Sequence, residues 1–218
     1  MLSCLVLFGM ELLRLIQKTF GKNIAASSMS AGDSSSKLSA EISRAPMYVE
    51  NQHSLSNIPF GKADMAGCGC EVIAVYNAIL ALGDSGKAKK LNELIHVFEK
   101  DGMLLNGKFG TSPKALRDFL IRENYDIRYT SSQGKFDEIA RTSRTCIITF
   151  FNDKYDIRKQ IHTVCLTKEN GKYIAHNLHC NGKVYGPYSS VTEFITSINN
   201  HRAKGIYLIG IRDGIVHS

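Results

Sequence analysis

The sequence predicts an α+β domain in which helices precede an antiparallel sheet. The spacing of apolar residues is helical up to about residue 124 and becomes strand-like from Tyr125 onward. The pair Asn170-Gly171 separates two strand-like runs, which is a strong signal for a β-hairpin. At 218 residues the chain is long enough to bury a substantial core.

The first 45 residues are expected to lie outside this core. Residues 1–22 form an apolar or amphipathic N-terminal segment, in which Met10 to Lys18 has the pattern of a short amphipathic helix. We expect this helix to pack on the domain, with weak contact to a membrane or a partner as the alternative. Residues 23–45 are rich in Ser, Ala and Gly, which predicts a flexible linker. The folded domain is then residues 46–218.

Three helices are predicted in the first half of the domain. The helix that opens at Cys68 and ends at Gly83 is apolar on nearly every face, which is typical of a central helix covered on most sides. Apolar residues at helical spacing predict an amphipathic helix over 87–100. Thr111-Ser112-Pro113 supplies a cap and a first-turn proline for a third helix over 113–124.

The second half is predicted to form the sheet. A capping box at Ser190-Val191-Thr192-Glu193 starts one short helix within it. The predicted strands are residues 125–130, 145–151, 160–167, 172–177 and 206–211.

Charge and cysteine content narrow the class of protein. The net charge is +7, but the basic residues are spread along the chain, so we expect a solvated surface and no nucleic-acid partner. Six irregularly spaced cysteines do not form a disulfide framework in a chain of this size. They favour a reducing, cytoplasmic compartment, with a membrane-associated or exported form as the alternative.

The start of the central helix carries the main candidate for chemistry. The thiol of Cys68, beside Gly69, is expected where backbone N–H groups and the helix dipole lower a thiol pKa. The hairpin centred on Asn170-Gly171 pairs the strands of His162 and Asn177. A turn of either two or four residues places these two side chains on one face. The Asn177 amide can then orient the imidazole that activates Cys68, which predicts a catalytic triad.

Each member of this triad also has a structural interpretation. A cysteine in an apolar helix is usually part of the core, and we assign Cys70 there. A single histidine on a strand, or an asparagine near a turn, is often structural. A zinc site from Cys68-x-Cys70 and His176-x-x-His179-Cys180 is a further alternative, but its spacing is unusual for structural zinc. We therefore expect no metal and no cofactor.

Four motifs follow one another in an order typical of a known family. They are Cys68-Gly69, Gly110-Thr111-Ser112, His162-Thr163-Val164-Cys165-Leu166 and Tyr173-Ile174-Ala175-His176-Asn177. Over roughly residues 50 to 212 they resemble the papain-like cysteine peptidases of the bacteriocin-processing, double-glycine leader type. Phytochelatin synthase, an acyl-transfer enzyme, has a similar Cys-Gly helix start.

The resemblance implies a papain-like fold and a thiol peptidase. Cys68 would attack the carbonyl of a peptide or small amide substrate, His162 would act as base and then acid, and Asn177 would orient His162. The family places an oxyanion-donating Gln six residues before the nucleophile, where this chain has Lys62. Asn57 and Gln52 are further candidates for that donor.

Two other functions remain open at this point. An acyltransferase or transglutaminase-like enzyme would use the same triad and pass the acyl group to an amine instead of water. A catalytically silent papain-like binding module is the third interpretation, and Lys62 in place of a fixed amide is the best argument for it.

Overall fold

The prediction of a mixed α+β domain is confirmed by the computed structural model. The structure describes residues 2–20, 47–83, 90–156 and 161–215. The predicted linker over 23–45 lies outside the described residues. The described residues contain seven α-helices: α1 (Leu2–Phe20), α2 (Met65–Cys68), α3 (Cys70–Leu82), α4 (Leu91–Asp101), α5 (Pro113–Arg122), α6 (Phe136–Arg141) and α7 (Val191–Ser197).

One six-stranded antiparallel sheet organises the domain. Its strand order is β3-β8-β4-β5-β6-β7. A separate two-stranded hairpin, β1-β2, precedes α2. The strands are β1 (Pro59–Phe60), β2 (Ala63–Asp64), β3 (Tyr125–Thr130), β4 (Thr145–Phe151), β5 (Ile161–Glu169), β6 (Lys172–His176), β7 (Tyr185–Tyr188) and β8 (Lys204–Ile215).

The sheet is covered on both faces. Helices α3, α4 and α5 pack on one face, and α6 and α7 contribute to the core on the other. Every residue of β4 is buried, and its side chains alternate between the two cores: Ile147 faces the α3 side and Ile148 the opposite side. This alternation follows from the two-residue period of a strand, and it fixes which side chains of β4 and β5 can meet α3.

The central helix does not begin at Cys68, as the sequence predicted, but at Cys70. Asp64 caps the preceding short helix α2, because its Oδ1 accepts a hydrogen bond from the Gly67 N–H at 2.7 Å. Gly69, with φ −97° and ψ 5°, separates α2 from α3. Cys68 therefore ends one helix and Cys70 opens the next. The predicted end is confirmed, since Gly83 caps α3 in the left-handed conformation.

The hairpin prediction is confirmed with a two-residue turn. Glu169 pairs with Lys172, so Asn170 and Gly171 are the central residues, with φ of 49° and 77°. However, β6 ends at His176, and Asn177 adopts a left-handed φ of 60°. The assumption that Asn177 lies in the strand was therefore wrong, and the strand alternation does not determine where its side chain points.

The N-terminal helix is longer than predicted, and it packs on the domain. Leu7 of α1 is buried in the core beside α3. Glu11 accepts a hydrogen bond from the Ser112 hydroxyl at 3.1 Å, and Arg14 pairs with Asp118 at 3.0 Å. No helix in the described part of the chain is both long and apolar enough to cross a membrane.

A buried amide attaches the segment before the first helical turn to α3. Asn77 is fully buried; its Oδ1 accepts from the Val49 N–H at 2.9 Å, and its Nδ2 donates to the Val49 carbonyl at 3.0 Å. These paired bonds resemble those between neighbouring strands. They position residues 49–52, which continue into the candidate site.

Replacing this amide tests how strongly the segment is held. We expect Asn77→Ala to lower the free energy of unfolding by about 2–3 kcal/mol, because both polar groups of Val49 lose their partner. Asn181 makes two comparable side-chain bonds but is exposed, so Asn181→Ala should change stability by less than about 0.5 kcal/mol. Urea denaturation measures both variants, and equal losses would contradict this account.

Candidate active site at the start of helix α3

Cys70 is the thiol that faces the sheet. It is buried at the first position of α3, where the nearby Thr163 backbone N–H of β5 lowers the pKa of its thiol. Thr163 directly follows His162 in the chain. The Cys70 thiol therefore lies beside the main chain one residue after the predicted base. The Cys70 thiol also donates to Glu71 Oε2 at 3.3 Å. Burial raises the thiol pKa well above its ordinary value, and Glu71 raises it further.

Cys68, the predicted nucleophile, faces a different part of the site. It is half-buried, and the nearby Gly110 backbone N–H lowers the pKa of its thiol. Burial is the largest cause that raises the pKa of this thiol, and the carboxylates of Glu71 and Asp64 act in the same direction. Within the described residues, no hydrogen bond or ring contact joins Cys68 to His162.

The expectation that the helix start lowers the pKa of the Cys68 thiol is therefore wrong, and the pKa of the Cys70 thiol is raised as well. A backbone N–H near each sulfur lowers its thiol pKa. Loss of hydration outweighs this effect, because a thiolate is far better solvated by water than by one N–H group. In the resting protein both groups are neutral thiols.

Glu71 is a buried carboxylate beside both cysteines. Only 4% of it is exposed, and its Oε1 accepts from the Thr163 hydroxyl at 3.5 Å, while the Thr111 N–H also bonds the carboxylate. Gly110 passes so close that a Cβ there would lie 2.8 Å from Glu71 Oε2. Burial raises the Glu71 pKa from 4.5 to about 7, and the hydrogen bonds reduce this rise. The carboxyl is thus partly protonated at neutral pH.

His162 and Asn177 are brought together, but through the main chain of Asn177. The His162 Nε2 lies 2.8 Å from the Asn177 carbonyl oxygen. A carbonyl oxygen only accepts, so Nε2 carries the hydrogen and Nδ1 presents a lone pair. Nδ1 has no hydrogen-bond partner among the described residues. Burial lowers the His162 pKa, which keeps the ring neutral and able to accept a proton.

The His162 ring leaves the sheet on the face opposite α3. His162 pairs with Phe150 across the β4–β5 ladder, and the two rings meet edge to face with centroids 5.9 Å apart. Phe150 belongs to the core on the side of α6 and α7. Because β6 ends opposite Cys165, His162 sits beyond the paired part of β5, next to the loop that begins at Asn177. The base and the α3 thiols thus approach the same end of β5 from opposite faces.

The Asn177 side chain has a different partner from the one predicted. Its Oδ1 accepts from the Gln52 backbone N–H at 3.1 Å, and its Nδ2 donates to Gln52 Oε1 at 3.0 Å. Gln52 Nε2 in turn donates to the Ala66 carbonyl of α2 at 2.9 Å. Cys180 lies at the rim of this amide pair, with its sulfur 4.0 Å from Gln52 Oε1. The amide pair holds the Asn177 carbonyl in place for His162.

The three oxyanion candidates differ in burial. Gln52 is buried in the amide pair just described, whereas Lys62 lies exposed at the tip of the β1–β2 hairpin and Asn57 lies exposed in the preceding turn. The N–H groups in the first turn of α3 are a fixed alternative, because the first turn of any helix has donors without a partner in the helix. The Cys70 N–H is the nearest of these to the Cys70 sulfur.

His176 shows what a structural histidine looks like in this fold. Its Nδ1 contacts Glu50 Oε1 at 2.5 Å, and its Nε2 contacts the Thr167 hydroxyl at 2.8 Å. Both ring nitrogens are therefore used, and the Tyr48 ring lies 4.2 Å away, centroid to centroid. His162 differs because one nitrogen is held and the other is left without a partner.

The zinc alternative gains no support from the side-chain positions. No group of three or more His, Cys, Asp or Glu side chains in the described ranges is placed to hold a metal ion. Sequence reasoning overlooked Glu71, although a single acid inside an apolar helix was a visible signal. It also missed the Gln52–Asn177 pair, which joins residues 125 positions apart and leaves no local pattern.

Comparison with known proteins adds no independent evidence. Neither a family model, nor a curated protein, nor a solved structure matches this chain. The case for a function therefore depends on the geometry of the site itself.

The raised pKa of Glu71 predicts how stability depends on pH. Because the folded protein binds this proton more tightly than the unfolded chain, the contribution of Glu71 is fully present below pH 4.5 and is lost as the pH rises through about 7. We compare the free energy of unfolding of the wild type with that of Glu71→Gln. The difference, wild type minus variant, should fall between pH 4.5 and 7 by at most about 1.4 kcal/mol per pH unit.

Urea denaturation of both proteins at several pH values measures this difference. Subtracting one free energy of unfolding from the other removes the contribution of every titrating group that the substitution leaves unchanged. A difference that is flat between pH 4.5 and 7, or that rises, would contradict the assignment of a buried carboxyl with a raised pKa.

Proposed function

We propose that this protein is a thiol-dependent hydrolase of the papain-like type that cleaves a peptide or small amide through an acyl-enzyme. The observation that carries the proposal is the state of His162. Its Nε2 is fixed by the Asn177 carbonyl, its Nδ1 has no partner among the described residues, and a thiol contacts the backbone of the next residue. A neutral imidazole with one nitrogen held and the other able to accept a proton meets one requirement of a general base, and contact between the ring and the thiol then needs a movement of the end of β5.

The contacts favour Cys70 over Cys68 as the nucleophile. Cys70 opens α3 and lies beside the backbone of Thr163, the residue after His162, whereas Cys68 lies beside Gly110. Cys68 is the more accessible thiol, and it remains the prediction made from the sequence. Substituting each thiol separately distinguishes the two.

The proposed reaction begins with a neutral thiol and a neutral imidazole. His162 Nδ1 takes the Cys70 proton as the sulfur attacks the substrate carbonyl carbon, so a C–S bond forms and negative charge develops on the carbonyl oxygen. The Cys70 N–H is the candidate donor to that oxygen. When the C–N bond breaks, the imidazolium gives its proton to the departing amine and a thioester remains.

Water completes the cycle. His162 takes a proton from the water that attacks the thioester, the C–S bond breaks, and the proton returns to the Cys70 sulfur. The products are a carboxylic acid and an amine. The raised thiol pKa fits a mechanism in which the proton leaves during attack, rather than one with a preformed thiolate–imidazolium pair.

One observation favours a catalytically silent binding module as the second candidate. The His162 ring projects from the sheet face opposite α3, beside Phe150, so proton transfer requires the ring or the end of β5 to move. A module that only binds its ligand would tolerate this separation and the raised thiol pKa values.

Turnover of the single variants tests the proposal. Hydrolysis of a fluorogenic peptide library should fall by roughly 10³-fold or more in Cys70→Ser and in His162→Ala, because residues of one catalytic unit each cause a near-complete loss. Cys68→Ser should retain turnover within a few fold. His179→Ala is the matched control, since His179 is exposed next to the site. Thermal unfolding verifies that each variant is folded.

Two results would overturn parts of this proposal. Loss of turnover in Cys68→Ser but not in Cys70→Ser would make Cys68 the nucleophile. If the folded wild type cleaves no peptide, and an electrophilic peptide labels neither Cys68 nor Cys70 near neutral pH, the silent module is the correct interpretation.

A further inference from the structure

The N-terminal helix α1 turns its apolar side to solvent. Among residues 5–16, whose side chains the structure describes, every exposed residue is apolar, with exposed fractions between 46% and 67%. They lie on one face of the helix at helical spacing. The exposed residues are Leu5, Phe8, Leu12, Leu15 and Ile16.

The orientation of α1 about its own axis is fixed by polar contacts on the opposite side. Glu11 accepts from the Ser112 hydroxyl, and Arg14 pairs with both Glu11 and Asp118. The side chains of Glu11 and Arg14 are only 17% and 15% exposed. The two charged residues in this part of α1 thus face the protein while five large apolar residues face water, whereas an ordinary surface helix turns its charged residues to solvent.

The neighbouring turn carries further exposed apolar residues and a positive charge. Residues Leu105–Gly107 pack against α1. Leu105 and Phe109 are exposed, and the exposed Lys108 stands between them in the chain. We call the five exposed residues of α1 together with Leu105 and Phe109 the N-terminal apolar face.

We propose that the N-terminal apolar face docks on an anionic lipid bilayer, with α1 lying in the plane of the interface. A helix with one exposed apolar side matches a flat bilayer, into which that side can sink while the opposite side stays attached to the domain. The net charge of +7 and Lys108 complement anionic headgroups. This proposal does not depend on the proposed function.

A second copy of the chain fits this face less well. Area does not separate the two occupants, because the seven exposed side chains of the face offer on the order of 800 Å², about what each partner in a stable complex buries. A protein interface, however, surrounds its apolar centre with a polar rim, and the exposed residues of α1 described above include no polar residue.

Vesicle sedimentation of the full chain tests this docking. We expect the protein to sediment with vesicles of phosphatidylcholine and phosphatidylglycerol, and less with phosphatidylcholine alone or at high salt. Phe8→Glu should weaken binding about tenfold, because a large apolar side chain can no longer enter the bilayer. The matched control is Val184→Glu, which introduces the same charge at another exposed residue. Val184 precedes β7, an edge strand of the sheet, whereas α1 packs on β8 near the other edge.

A fluorescence measurement covers the case in which Phe8→Glu fails to fold. The chain has no tryptophan, so Phe8→Trp introduces a single reporter. Its emission should shift to the blue when anionic vesicles are added, and that of Val184→Trp should not.

Three outcomes would overturn the proposal. The first is wild-type protein that stays in the supernatant with anionic vesicles. The second is an unshifted Phe8→Trp spectrum. The third is a dimer in light scattering that Phe8→Glu dissociates, which would assign the face to a second copy of the chain.

Discussion

The candidate site depends on one buried pair of amides, Gln52 and Asn177. Two hydrogen bonds join them, from the Gln52 backbone and from the Asn177 side chain. The pair fastens the segment before α2 to the end of β6 and keeps the chain at Asn177 in a left-handed turn. Because of that turn, the Asn177 carbonyl rather than its side chain reaches His162. The tautomer of the imidazole thus follows from a contact made some distance from the ring.

Electrostatics at the start of α3 are governed by Glu71 and by burial. A carboxyl with a pKa of about 7 lies beside two thiols whose pKa values it raises, so negative charge on any one of the three disfavours charge on the others. In the resting site both thiols are therefore neutral, beside a carboxyl that is partly protonated at neutral pH. Nucleophilic attack by a neutral thiol needs a proton acceptor that moves close to the sulfur at the moment of attack. His162, at the same end of β5, is the candidate for that acceptor.

The sequence predicted the elements well and the site only partly. Helices α4 and α5 and the hairpin at Asn170-Gly171 follow from local spacing and turn chemistry, which tertiary contacts did not override. The break at Gly69 was missed, because Asp64 caps the start of a separate short helix, α2, which ends at Cys68 before α3 begins. Which thiol faces β5 depends on that break, since it shifts both cysteines around the helix start.

The sequence predicts a contact between His162 and the Asn177 side chain, but the backbone carbonyl of Asn177 makes that contact. Strand alternation correctly suggested that the two residues are near each other, but it assumed that β6 continues through Asn177. The left-handed φ at that residue is stabilised by Gln52, which lies far away in the sequence and has no local signature. Contacts of this kind require the three-dimensional structure.

The central claim is that His162 is a neutral base whose Nε2 is held and whose Nδ1 is available. A nitrogen NMR spectrum of the imidazoles at neutral pH tests this claim directly, with the His162 signals identified by their loss in His162→Gln. The account predicts a protonated Nε2 and an unprotonated Nδ1. A proton on Nδ1 at neutral pH, whether in the other tautomer or in a charged imidazolium, would contradict it.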